Sequence, residues 1–223
     1  MKSSRKILIV VLAFGLIQSG WALADFTPKF NLRLTELKTG VSTGTKIHLE
    51  FDENDEEIGA FSMRIPAGFK VASDKKIPND DAIGGGGITI EAGPGCRPGP
   101  EGDLPLTAPV TITATMYERA RTDEERDQGV DAVWFLDLEP LNRVRLQIKG
   151  SPSSGWTVSG APTASDNTCN PLTVDLTIYR KSESGAWILK NPTVPGKKTF
   201  KATIASQDSP SVATFRKTVR IKR

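Results

Sequence analysis

The sequence predicts an all-β protein, two antiparallel sheets packed as a sandwich behind a cleaved leader. Three observations carry this expectation. Beyond Asp25 the apolar side chains recur with a period of two, the repeat of a half-buried strand. No 11-residue window in that part of the chain sustains helical spacing. Short Gly-, Pro- and Ser-rich stretches punctuate the alternation, and strands with one apolar face need a second layer to bury it.

The leader comes first. Residues 1–24 join a basic start (Met1–Lys6), an apolar run (Ile7–Ile17) and a small-residue exit (Ala22-Leu23-Ala24), the three parts of a secretory signal peptide with cleavage expected before Asp25. The apolar run of 11 residues falls short of the roughly 20 that cross a bilayer. No later stretch is long and apolar enough to span. The chain from Asp25 is therefore expected to be secreted, periplasmic or held at the cell envelope, as one domain over residues 25–223.

The strands follow in order. Phe30, Leu32 and Leu34 alternate with Asn31 and Arg33, and Ile47, Leu49 and Phe51 with His48 and Glu50. The same pattern runs through Phe61–Ile65, Val110–Met116, Val144–Ile148, Leu172–Ile178, Phe200–Ile204 and Phe215–Ile221. Ala132–Leu138 is apolar on both faces, as in a central strand covered twice. The polar Thr122–Gln128 offers at most a turn or two of helix. Gly40–Lys46 and Gly84–Gly87 read as turns, because neither has the spacing and following helix of a phosphate loop. An immunoglobulin-like or a jelly-roll-like strand order satisfies this pattern equally.

Charge narrows the classes of partner. Of 29 basic residues, Lys2, Arg5 and Lys6 lie in the leader, which leaves 26 against 26 acidic ones. A neutral body argues against nucleic acid, which needs a concentrated positive surface. The cancellation is uneven along the chain: Lys197–Arg223 holds eight basic residues against Asp208. Arg216, Arg220 and Lys222 share one face there, which reads foremost as protection of an exposed strand edge and secondly as a site for an anionic envelope polymer.

Thr39-Gly40 with Thr45–Phe51 is followed by the strand and turn Ser62-Met63-Arg64-Ile65-Pro66-Ala67-Gly68-Phe69, and Trp187-Ile188-Leu189-Lys190-Asn191-Pro192-Thr193 is followed by Lys198–Ala205 and Ala213–Ile221. Together these stretches resemble a group of secreted, chiefly actinobacterial, β-sandwich proteins of uncharacterised function. The first is similar to their strand ending in L-P-x-G-F, the second to their L-L-x-N-P-T turn before a C-terminal hairpin. Where that group often has Cys after N-P-T, this chain has Val194 and Pro195. The resemblance implies a secreted sandwich and no catalytic residues.

Candidate chemistry is sparse. With one histidine and two cysteines there is little material for a zinc site or an acid–base triad. Outside the cytosol, Cys96 and Cys169 are expected to form one disulfide; a nucleophilic thiol would lack a base. Ser73-x-x-Lys76, Ser165-Asp166-Asn167 and Lys38-Thr39-Gly40 imitate a penicillin-recognising serine enzyme, but their order is wrong and Ile77-Pro78 opposes the helix that Ser73 would need. No catalytic residue and no organic cofactor is expected. Calcium is the one metal considered: Asp52, Asp55, Glu56 and Glu57 cluster at a strand end and could supply several oxygens, although a solvated hairpin loop explains them more simply. His48, Glu50 and Asp52 share a strand face that reads as solvent-facing. Trp156, between loop-forming residues, with Tyr117 and Tyr179 at strand ends, is the candidate stacking platform for a saccharide. Two carboxylates across a groove would instead indicate a polysaccharide-cleaving jelly roll. The expected role is that of a non-enzymatic structural or binding module at the envelope, its partner a polysaccharide or another surface protein; the alternative is a carbohydrate-binding module.

Overall fold

The computed structural model describes residues 26–52, 58–91, 107–138, 143–161, 171–206 and 210–223. Numbered along the chain, eleven strands form one antiparallel sheet. From edge to edge they are β1 (Lys29–Leu34), β3 (Thr45–Glu50), β11 (Pro171–Ile178), β6 (Ala82–Ile90), β7 (Val110–Arg119), β8 (Ala132–Asp137), β9 (Val144–Ser151), β10 (Gly155–Ala161), β4 (Ile58–Ile65), β13 (Gly196–Ser206) and β14 (Val212–Ile221). Three two-residue strands, β2 (Ser42–Thr43), β5 (Lys70–Val71) and β12 (Leu189–Lys190), make a separate small sheet with β12 in the middle.

The large sheet curls until its edges meet, giving a nearly closed barrel. Phe30 of β1 stacks on Phe215 of β14 with ring centroids 5.6 Å apart. Beyond the ends of these strands the Lys222 amide donates to Leu37 O (2.7 Å) and the Thr39 amide to Lys222 O (2.9 Å). The expectation of antiparallel β-structure holds, but the hydrogen bonding does not divide into two large sheets. It stays continuous because β6 pairs with both β11 and β7.

Two segments depart from the sequence reading. Gly84–Gly87 lies inside β6 and is no turn: without Cβ atoms these residues let β6 approach β11 closely, and a Cβ on Gly86 would sit 1.8 Å from Asp175 O. Gly155–Ala161 is a full strand that places Trp156 and Val158 inward at 7% and 3% exposure. Thr122–Gln128 forms only the short helix α1 (Asp123–Asp127), started by a capping box in which Thr122 and Glu125 each bond the other's amide. Glu125 reaches Arg119 on β7 and Arg145 on β9, so the helix lies over the outside of β8, where Val133 is fully buried. That cover explains why β8 is apolar on both faces.

Apolar side chains point into the curl and the Lys and Arg of the strands point out, the reverse of a barrel whose outside faces lipid. The interior is one cluster running from Leu32 and Ile47 through Met116, Trp134 and Ile148 to Met63 and Phe200. Among the described residues no helix is long and apolar enough to cross a membrane. At one end of the curl, the stretches that follow β1, β4 and β11 carry the small sheet and add Phe69, Ile77, Ile188 and Leu189 to the core. Asn191 anchors this cap, its side-chain amide donating to Glu36 O and Lys38 O (both 2.9 Å). The Asn191-Pro192-Thr193 turn also meets the Pro66–Phe69 stretch, for Pro192 packs against Gly68. At the other end β3 leads to β4, β6 to β7, β8 to β9, β10 to β11 and β13 to β14, in each case through residues outside the described set.

Candidate ligand-binding face

The outer face of β1, β3, β11, β6 and β7 gathers polar side chains in two adjacent rows. One reads Asn31, His48, Asp175, Gly87 and Thr113 across the strands; the next reads Arg33, Lys46, Thr177, Gly85 and Thr115. Alternation puts every one of these on the outside, because their neighbours Leu32, Ile47, Leu176 and Ala114 take the inside. The first three members of each row line an open hollow of about 330 Å³.

His48 and Asp175, 127 residues apart in sequence, are joined here: Nδ1 lies 2.7 Å from Oδ1. An Nδ1–H donated to the carboxylate leaves Nε2 as the ring atom available to a ligand. Among the described residues no hydroxyl or thiol is hydrogen-bonded to His48, whose side-chain partner is Asp175. Glu50, which shares the His48 face, is instead tied to Lys29 at 2.6 Å, and the lysine holds its carboxyl below the usual range.

Glycines 85 and 87 leave a strip of bare backbone beside these groups. Tyr179 occupies part of it. Its amide donates to Ile83 O (2.8 Å), and its hydroxyl lies 3.2 Å from the point a Cβ on Gly85 would take. The ring therefore runs along β6 over the glycine instead of standing off the sheet, and it is 44% exposed. Across β6, Tyr117 is half-buried and committed to a cluster of its own: its hydroxyl donates to Asp137 Oδ2 (2.8 Å), and the Arg143 guanidinium sits 5.3 Å from its ring centre. Burial, with the Asp137 hydrogen bond second, pushes the Tyr117 phenol up to about 12. The tyrosine hydrogen bond and Arg143 hold Asp137 low.

Of the three platform residues expected from sequence, Tyr179 alone presents a ring to solvent. Trp156 is corrected: it occupies an inward position of β10, and its indole N–H donates to Phe69 O at 2.9 Å. The acidic candidates cannot be placed together, for Asp52 is described and Asp55, Glu56 and Glu57 lie outside the described residues, as do Cys96 and Cys169. Among the described residues no three carboxylate, His or Cys groups are arranged to hold a metal. Asp175, Arg33 and Lys46 had no sequence signal as site residues, and the glycines were read only as a turn, since the proximity of all five comes from strand pairing alone. Comparison with protein-family models, curated proteins and solved structures finds no match for this chain.

Proposed function

We propose that the protein is a secreted, non-enzymatic binding module of the cell envelope that takes a saccharide on this outer face. The observation that carries the reading is Tyr179 laid over Gly85, an exposed aromatic surface in the plane of the sheet. Beside it stand the hydrogen-bonding groups of Asp175, His48, Thr177 and Thr115. A flat ring for sugar C–H faces, with donors and acceptors at its margin, is the arrangement by which amphipathic aromatics hold a polar ligand. A binding rather than cleaving role is supported by the carboxylates of this region, each engaged by a partner: Glu50 by Lys29, Asp175 by His48, and Asp137 by Tyr117 and Arg143.

Secretion rests on the three-part leader. The sandwich reading is retained as a flattened form of the curl. About eight strands already give a round barrel as wide as side chains can fill, so eleven strands around one continuous, largely apolar core favour two broad faces pressed together.

The test is retention of the purified protein on insoluble envelope polysaccharides and on a glycan array, beside Tyr179→Ala. Retention on at least one neutral glycan is expected, weakened about tenfold by the substitution, the scale of one aromatic contact. Binding to no glycan, or equal binding by the variant, overturns the proposal.

A further inference from the structure

The opposite outer face, formed by β9, β10, β4, β13 and β14, carries a line of cations that crosses the strands. Arg216 pairs in register with Lys201, Lys201 with Arg64, Arg64 with Thr157, and Thr157 with Lys149. With neighbouring strands about 4.8 Å apart, the line from Arg216 to Lys149 extends roughly 19 Å. Two residues along lies a parallel row of hydroxyls and an amide: Thr214, Thr203, Ser62, Ser159 and Gln147. None of these five strands contains an Asp or Glu.

Like charges set directly opposite one another in a sheet repel and destabilise it. Three of the cations, Arg216, Lys201 and Arg64, stand on consecutive strands, and none of the four has a carboxylate partner among the described residues. Arg64 is held in place by neutral groups, donating to Thr157 Oγ1 (3.1 Å) and to Ser154 O. Asp131, near the far end, accepts from the Gly150 amide (2.8 Å). Edge protection accounts for charge on β14 alone. It does not account for Arg64 on β4 or Lys149 on β9, which have paired strands on both sides.

We infer that this face is a second binding site, for a linear acidic polysaccharide lying across the strands, its carboxylates or sulfates on the Arg216–Lys201–Arg64–Lys149 line and its hydroxyls on the adjoining Ser, Thr and Gln row. The hydroxyl row selects a sugar polymer over a nucleic acid, since among the described residues this face presents no exposed aromatic ring on which bases stack.

The experiment measures binding of the full chain to polygalacturonate, dextran sulfate, uncharged dextran and single-stranded DNA at several salt concentrations. Binding to one of the two acidic polysaccharides is expected, falling steeply with salt as screening grows, with none to dextran on this face. Lys201→Gln with Arg216→Gln, neither of which makes a side-chain bond among the described residues, should weaken it about tenfold, the scale of two exposed ion pairs. Lys70→Gln with Lys75→Gln, two cations elsewhere on the surface, should leave it unchanged. Fragments too short to span the line should bind more weakly than longer ones. Equal binding by the Lys201/Arg216 variant, equal loss in the Lys70/Lys75 variant, or tighter binding to DNA than to either acidic polysaccharide overturns the assignment.

Discussion

Glu118 of β7 and Trp134 of β8 face one another across the strand register inside the barrel, and both are essentially inaccessible to solvent. Among the described residues neither carboxylate oxygen of Glu118 has a hydrogen-bond partner, nor has the Trp134 indole N–H. Burial, with Asp74 adding to it, raises the Glu118 carboxyl to about 8; the facing indole N–H, which favours the charged form although it falls outside hydrogen-bonding geometry, and Arg121 pull the other way without cancelling the effect. The nearby Asp74–Arg121 pair is itself closed, with Arg121 donating to both Asp74 oxygens (2.9 and 3.0 Å).

A sloping pH dependence of stability follows. In the unfolded chain Glu118 ionises near 4.5, and in the native protein near 8. Between those values the native state holds the extra proton, so this group's contribution falls as pH rises through the window and is level on either side. Glu118→Gln cannot ionise and should remove that slope, leaving the variant more stable than the parent above pH 8 by up to about 5 kcal/mol. Urea unfolding at pH 5 and pH 9 checks this. A parent and variant with the same pH dependence would contradict it.

Gly86 sets how closely β6 can lie against β11. With a Cβ placed 1.8 Å from Asp175 O, Gly86→Ala must push the two strands apart and should cost about 3 kcal/mol or more, at the upper end of overpacking effects. Gly129→Ala, where φ is +70° and nothing lies within 4 Å, should cost only about 1–2 kcal/mol of backbone strain. Chemical denaturation of the two variants gives the comparison, and equal losses would remove the steric account.

The cysteines remain expected as a pair. Ile90 and Pro171 are register partners on adjacent strands; in sequence Cys96 follows the one and Cys169 precedes the other by a few residues. Mass spectrometry of the non-reduced protein should find the two joined, and Cys96→Ser with Cys169→Ser should lose roughly 4 kcal/mol, the chain-entropy value for a loop of about 70 residues. Alkylation of both thiols without reduction would refute the bridge.

Alternation is a local property, and it was legible: Leu32, Ile47, Met63, Ile112, Ile148, Val174, Ala202 and Ile221 all face the core their period assigned them. It failed where the side chain that reports it is missing or ambiguous. The glycines of β6 have no apolar atoms to alternate, and Trp156 among Ser and Gly resembled a loop until its pairing with Ile65 turned it inward.

By itself, the sequence determined that strands form and which face of each turns from water, because both depend on neighbours one or two residues away. Only the tertiary structure decided which strand lies beside which, and hence that His48 meets Asp175 and that single cations on separate strands become one line. A register is a relation between distant segments, set by packing of the whole core, and no single strand encodes it.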